Sequence, residues 1–522
     1  MYRIGIDVGG TNTDAIILDE HSQLIHSVKS PTTLDIKTGI ETSLRKVLKE
    51  ANIDKTKITH AMLGTTQCTN AIVERKKLAR VGVIRLGYPA TASVPPYTAW
   101  PKDMVDKLSG NYALVHGGYE YDGQLLGEID EREIMDLLVD WRDKVESIAI
   151  IGVFSSIKND QELKVRDLIW ESYGETYPVS CSSLIGSVGL IERENATILN
   201  AALCKVIETT TTGFAYALEE EGIQDVEVYL CQNDGTLMSI EYAKQFPILT
   251  IACGPTNSIR GASYLANIKD TMVIDVGGTT SDIGVLQDGF PRESSVAVEV
   301  GDIRTNFRMP DIISIGLGGG SIVRVENDKI TVGPDSVGYK IGEEALVFGG
   351  STLTTTDIAV RLGLADMGDK SLVSHIDEGF AKRVQSVISS LITNAIDKMK
   401  TSSEDVQIVL VGGGSVIIPD EIPGVAEIVK VENGGVANAI GASISQISGQ
   451  YEQIYIYSRE PREQSLKDAE EKAVKQAVMA GADPVTVKLV EVEETPLAYH
   501  PENATRLRVK VVGKMSDYPL SD

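Results

Sequence analysis

The feature that most constrains this chain is a repeat of nine residues. Ile6-Asp7-Val8-Gly9-Gly10-Thr11-Asn12-Thr13-Asp14 recurs as Ile274-Asp275-Val276-Gly277-Gly278-Thr279-Thr280-Ser281-Asp282. Each copy follows an apolar run and precedes another, 15–18 in the first and 283–286 in the second. The pattern predicts two β-hairpins tipped by Gly-Gly and hydroxyl residues. Paired glycines let backbone N–H groups approach an anion closely, and Thr11, Thr13, Thr279, Thr280 and Ser281 add hydroxyl donors. An Asp repels phosphate. Asp7, Asp275 and Asp282 are therefore expected to hold Mg²⁺ through waters, or to orient an attacking water or hydroxyl. Two such tips facing each other would clasp the β- and γ-phosphates of a nucleotide, with Gly9, Gly10, Thr11, Asn12 and Thr13 on one side and Gly277, Gly278, Thr279 and Thr280 on the other.

A third Gly-rich element suits the same cleft. The apolar run 407–411 leads into Gly412-Gly413-Gly414-Ser415. Bare backbone there would accept a flat ring or a sugar, so these glycines are assigned to the adenosine. Residues 316–321 form a further glycine nest with Gly318 and Gly319 at its centre. It either approaches the transferred phosphoryl group or is a tight turn beside the cleft, with Asp311 just before it. Thr65 and Thr66 either line the cleft or cap the helix expected at 67–75. Arg193 either meets a phosphate or carboxylate, or pairs on a helix surface with Glu192 or Glu194. Cys253 has no base near it in the sequence and reads as a buried small apolar residue.

Short apolar runs alternate with helical periods over most of the 522 residues. Strands are expected at 3–8, 14–18, 58–63, 81–84, 148–154 and 407–411. Helices are expected at 36–51 and 376–399, where apolar residues recur at helical spacing. This alternation predicts α/β layers. After about residue 450 the texture shifts to an amphipathic helix at 465–480 flanked by strand-like runs, the pattern of a small α+β unit.

Composition excludes other classes. Lys plus Arg number 49 and Asp plus Glu 74, a net charge of −25. Such a chain is repelled by phosphate backbones and anionic lipid, so neither nucleic acid nor a membrane is an expected partner. No stretch is apolar for long enough to span a bilayer. The first residues read directly as a strand without a secretory pattern, so a cytoplasmic protein is expected. The five Cys, at 68, 181, 204, 231 and 253, are dispersed with no CxxC pair. That spacing offers no disulfide framework, zinc site or iron–sulfur cluster.

Two DxGGT hairpins and a later VGGGS turn resemble the actin, Hsp70 and sugar-kinase ATPase superfamily. Further segments are similar to one family within it, the hydantoinase A/oxoprolinases. These are Gly64-Thr65-Thr66 with Thr69-Asn70-Ala71 and Glu74-Arg75-Lys76, Glu192-Arg193 with Leu199-Asn200-Ala201, Gly254-Pro255, and Pro310-Asp311-Ile312 with Gly318-Gly319-Gly320-Ser321. The resemblance runs in order over about 1–445. It departs at Ile313 and Gln161, where the family has His, at Thr256-Asn257 in place of Ala-Gly, and at Asn12 in place of Phe.

The resemblance implies a two-lobed actin-like (ribonuclease H-like) α/β fold: a first lobe with an insert over 1–190, a second over 191–450, and a small C-terminal α+β domain over 451–522. It implies ATP and Mg²⁺, with Asp7 and Asp275 at the metal and Asp7, Asp275 and Asp282 catalytic. The adenosine and phosphates would fall to the glycines and hydroxyls named above, Gly412, Gly413 and Gly414 included. The expected activity is ATP-dependent opening of a cyclic amide. A small-molecule kinase, a ketone carboxylase subunit and a nucleotide-gated regulatory subunit are the alternatives. Expected partners are a cyclic amide or ketone substrate, a B-type subunit, and a second copy of the chain.

Overall fold

The computed structural model describes residues 1–9, 12–31, 36–186, 188–294, 298–327, 329–497, 502 and 504–515. The chain opens with a meander of β1 (Tyr2–Val8), β2 (Asn12–Asp19) and β3 (Leu24–Pro31), each antiparallel to the last. β4 (Ile58–Thr65) runs parallel to β1. A parallel neighbour needs a crossover, supplied by the helix Ile36–Ala51. Ile40, Leu44, Val47 and Leu48 recur on one side of that helix and bury against Ile4, Ile6 and Ile17.

An insert follows. β5 (Val81–Tyr88), β6 (Asn111–His116), β7 (Ser147–Gly152) and β8 (Val179–Cys181) form a separate parallel sheet in the order β6-β5-β7-β8. It rests on the helix Leu190–Ala202, whose buried Arg85–Glu194 pair ties strand to helix at 2.6 Å. β9 (Glu227–Cys231) and β10 (Leu237–Ser239) then return to the first sheet, β9 alongside β4.

The second lobe begins with β11 (Thr271–Val276), β12 (Ser281–Gln287) and β13 (Phe290–Pro291). A ribbon of β14 (Val298–Val300) and β15 (Ile303–Thr305) precedes β16 (Ile312–Ile315), which pairs with β12. A hairpin of β17 (Ser321–Glu326) and β18 (Lys329–Ser336) follows, then β19 (Val406–Val411) and β20 (Val425–Lys430). The sheet order is β13-β12-β11-β19-β20. β11 and β19 carry the apolar runs Met272–Ile274 and Ile408–Val411, as strands covered on both faces do. The helix Glu378–Met399 places Val384, Ile388, Ile392 and Ile396 in the core of this lobe.

The chain closes with β21 (Ile447–Ile456), β22 (Lys488–Pro496) and β23 (Ala504–Gly513). β21 joins β10 through Leu237 and Ile447, giving a nine-stranded sheet in the order β22-β23-β21-β10-β9-β4-β1-β2-β3. Set beside the expected divisions at 190 and 450, this sheet draws strands from all three segments, while the second-lobe sheet falls within 271–430. The helix Arg462–Met479 lies on the nine-stranded sheet through Ala469, Ala473 and Ala477. No helix of the described residues is long and apolar enough to cross a membrane.

Two helices carry the chain between the lobes: Cys253–Ala266 on the way to β11, and Ala437–Ile444 on the way back to β21. They cross at backbone contact. A Cβ on Gly261 would stand 1.8 Å from the Ala437 carbonyl oxygen, and one on Gly441 1.8 Å from that of Asn257. Only glycine fits at either place.

Candidate active site

Both repeats fold as hairpins in one register. β1 and β2 pair Asp7 with Asp14 and Val8 with Thr13; β11 and β12 pair Asp275 with Asp282 and Val276 with Ser281. Each tip closes with one backbone bond, Gly9 N–H to the Asn12 carbonyl at 3.0 Å and Gly277 N–H to the Thr280 carbonyl at 2.9 Å. Gly10 and Thr11 lie outside the described residues.

The two tips line a single cavity of about 590 Å³. Asp7, Gly9, Asn12 and Asp14 come from the first, and Asp275, Gly277, Gly278, Thr279, Thr280 and Asp282 from the second. Gly412 and Gly413, after β19, form another wall. Both interlobe helices open into the same space at their N-terminal ends, through Gly254, Pro255 and Ser258 on one and Ala437 and Asn438 on the other. Helix N-termini carry partial positive charge and favour an anion.

Four carboxylates share this cavity, and a web of donors fixes them. Asn438 Nδ2 donates to Asp7 Oδ2 and to Asp14 Oδ2, each at 2.9 Å. Asn257 Nδ2 donates to Asp7 Oδ1 at 3.2 Å. Lys29, opposite Asp14 in the β2–β3 register, places Nζ 3.1 Å from Asp14 Oδ1. The Ser314 hydroxyl donates to Asp282.

Burial raises all four carboxyls above the ordinary 3.8. It pushes Asp7 up to about 6 against the pull of Asn257, with Asp14 and Asp275 adding repulsion. Asp282 reaches about 7, by burial first and by Asp275 as a like charge. Asp14 and Asp275 are also raised by burial, with Lys29 acting the other way on both. Like charges in a poorly hydrated cleft disfavour ionisation, and a divalent cation would relieve that.

No three His, Cys, Asp or Glu among the described residues converge closely enough to ligate a metal directly. Mg²⁺ keeps several of its waters and is held through one or two carboxylates and substrate phosphates. Carboxylates spaced around an open, anion-favouring cavity fit a hydrated Mg²⁺ bound together with a polyphosphate.

Several expected residues sit elsewhere. Thr13 is fully buried behind the first tip. Gly318 and Gly319 do not reach the cavity: Gly318 N–H donates to Ser321 Oγ at 2.8 Å and Gly319 N–H to the Gly277 carbonyl at 3.0 Å. The nest thus buttresses the second hairpin from behind, its amides already used. Gly414 likewise donates its N–H to the Val276 carbonyl at 2.7 Å and stands behind the tip. Asp311 is paired with Arg292 at 2.6 Å. Arg193 faces inward, its Nε on Ser182 Oγ at 3.0 Å and its Nη2 on the Gly152 carbonyl at 2.8 Å, so it makes no surface pair.

Thr66 lines the cavity and makes no side-chain cap bond; Thr65 is buried and its hydroxyl accepts from Gln67 N–H at 3.3 Å. Cys253 is buried with its thiol pushed up to about 12 by that burial, as suits an inert residue. Gln161 accepts from Gly118 N–H at 2.5 Å and donates to the Gly127 carbonyl at 2.9 Å, holding a turn of the insert. Ile313 pairs with Ile283 and packs on the second-lobe core.

Sequence reasoning missed Lys29, Asn257, Asn438 and Tyr339, which lies at the cavity beside Gly338. The one available signal was Asn433-Gly434-Gly435, a further glycine run opening a helix that carries Asn438.

A larger cavity, about 930 Å³, lies along β23. Its charged groups neutralise one another: Glu293 alone meets Arg308, Arg508 and Lys510. The hairpin cavity, with an excess of raised carboxylates, is the better candidate for chemistry.

The hydantoinase/oxoprolinase N-terminal region is matched over residues 3–173, and the hydantoinase/oxoprolinase domain over 193–366. The caprolactamase alpha subunit of Pseudomonas jessenii is 26% identical over 399 residues, 70% of this chain and 55% of that protein. The acetophenone carboxylase gamma subunit of Aromatoleum aromaticum is 26% identical over 392 residues, 69% of this chain and 53% of that one. The chain thus aligns with little more than half the length of these relatives. Among solved structures, the ATP-dependent caprolactamase of Pseudomonas jessenii superposes with a TM-score of 0.78 at 18% identity, covering 100% of this chain and 89% of that one. Nucleotide-free acetone carboxylase gives 0.68 at 18% identity, covering 98% of this chain and 88% of that one. The fold is shared with both, and the chain belongs to the hydantoinase/oxoprolinase family.

Proposed function

We propose that this chain binds ATP with Mg²⁺ in the hairpin cavity and uses it to open a cyclic amide. The observation that carries the reading is the pair of hairpins, identical in register, whose tips and four carboxylates meet at one cavity. Relatives named as a caprolactamase and as 5-oxoprolinases support the substrate class.

Backbone and hydroxyls at 9–12 and 277–280 hold the phosphates, with the two helix N-termini behind them. Asp7 and Asp275 would hold a hydrated Mg²⁺. When bound, that ion supplies neutralisation of phosphate charge. Positioning and charge neutralisation make up most of the catalysis in phosphoryl transfer. The amide carbonyl oxygen attacks the γ-phosphorus and ADP leaves. The carbonyl carbon, now bearing a phosphate leaving group, accepts water. The ring C–N bond then breaks, the nitrogen taking a proton and leaving as the amine, and a second water cleaves the remaining acyl phosphate to a carboxylate and inorganic phosphate. Asp282, raised to about 7, takes the proton of the incoming water near neutral pH.

Relatives named as subunits support a B-type partner. Relatives named as carboxylases support a second reading, phosphorylation of an enol oxygen, which needs the same clasp. Phosphate release from ATP, measured with lactams, hydantoins and ketones, separates the two. Lactam- or hydantoin-stimulated release that disappears in the Asp7→Asn, Asp275→Asn double variant is the expected result. Turnover that survives the double change refutes these roles.

A further inference from the structure

We propose that Tyr339 stacks on the base of the nucleotide and makes this cavity selective for purines. The inference rests on the nucleotide reading above. Among the described residues lining the cavity, Tyr339 is the only aromatic one. The residue is 61% exposed, although it belongs to a well-anchored turn.

That anchoring ties the ring to the phosphate side. Gly338, at φ +55°, lets the chain turn beside the second hairpin tip, and its N–H donates to Ser336 Oγ at 3.0 Å. Ser336 Oγ in turn donates to the Gly278 carbonyl at 3.3 Å, and Val337 N–H to the Gly320 carbonyl at 3.0 Å. The turn that carries the ring thus keeps a fixed place relative to the Gly277–Thr280 backbone that would hold phosphate.

The other walls are bare. Gly412, Gly413, Gly434 and Gly435 line the same space without side chains. A Cβ at Gly435 would meet nothing within 4 Å, and one at Gly413 only Lys29 Nζ at 3.8 Å, so these backbones face open room. A slot with exposed glycine backbone and one exposed aromatic ring suits a flat heteroaromatic ligand. Stacking strengthens with the ring area of the base, so a purine is held better than a pyrimidine.

Tyr339 would act on affinity and base choice alone. Its hydroxyl is not among the hydrogen-bond partners of the four carboxylates. The test is calorimetric binding of ADP, UDP and inorganic tripolyphosphate, each with Mg²⁺, to the full chain and to Tyr339→Ala, Tyr339→Phe and Tyr339→Trp. Tyr339→Ala should weaken ADP by about ten- to a hundredfold, the range for loss of one base–aromatic stack. Tripolyphosphate should be unaffected, the ADP-over-UDP preference should shrink, and Tyr339→Phe should restore it. In Tyr339→Trp, ADP should quench the new indole fluorescence and tripolyphosphate should not. Unchanged ADP affinity in Tyr339→Ala overturns the inference while leaving the phosphate clasp standing. Failure of the wild-type chain to bind both ADP and tripolyphosphate overturns the nucleotide reading and the inference with it.

Discussion

Asp282→Asn should stabilise the ligand-free chain while removing its activity. Burial raises the Asp282 carboxyl from the ordinary 3.8 to about 7, with Ser314 opposing and Asp275 reinforcing. In the unfolded chain the group ionises near its ordinary value. Below about pH 4 both states carry the proton, and the stability linked to it is fully present. Between about pH 4 and pH 7 the unfolded chain gives up its proton first, so that stability is lost as the pH rises, and above 7 the loss is complete. One pH unit corresponds to about 1.4 kcal/mol, which sets an upper limit of about 4 kcal/mol. Asp282 keeps part of its surface toward the cavity, and screening there brings the expectation to about 2 kcal/mol. Asn never ionises and retains an oxygen for the Ser314 hydroxyl. Denaturant unfolding at about pH 8 should therefore show the variant about 2 kcal/mol more stable, with the gain fading to nothing near pH 4. Phosphate release should be abolished at every pH. A variant that is less stable at pH 8, or whose difference from wild type ignores pH, would refute the picture of an uncompensated buried carboxylate.

Lys29→Met should push Asp14 and Asp275 further up, since Lys29 holds both down; the acid limb of the pH–rate profile should move to higher pH, and the thermal midpoint should fall near neutral pH while changing less in acid. Arg85→Met should cost about 3–5 kcal/mol in unfolding measurements, because it strands Glu194 in the core, while Arg85→Met with Glu194→Met should recover most of that. Gly261→Ala should lower the thermal midpoint by several degrees and reduce soluble yield, because its methyl would meet the Ala437 carbonyl.

Much of the site was legible in the sequence because its core is local. A DxGGT hairpin carries its acids, glycines and hydroxyls within nine residues, and the strand pairing that aligns Asp7 with Asp14 follows from the tight turn itself. The helices at 36–51 and 378–399 were readable for a similar reason, a regular apolar stripe. Lys29, Asn257 and Asn438 were not, because each reaches the carboxylates through tertiary packing: a third strand in one case, the crossing of two helices in the others. The nest at 318–320 shows the opposite failure. A glycine run says that backbone will be approached closely, but not by what, and here Gly277 and Gly278 carbonyls take the place expected for an anion. Strands flank the C-terminal helix as expected, yet their attachment to the first sheet turns on the single pair Leu237 and Ile447, which no local pattern announces.

The close crossing of the helices at Gly261 and Gly441 has a mechanical consequence. Both covalent links between the lobes pass through the same spot, like the rivet of a pair of scissors. A rivet barely moves while the blades sweep, so the jaws can part to admit cargo and shut over it with little disturbance at the fulcrum. Asn257 and Asn438 ride on the two riveted arms and both grip Asp7. That carboxylate is therefore held at the pivot and keeps its place while the blades sweep.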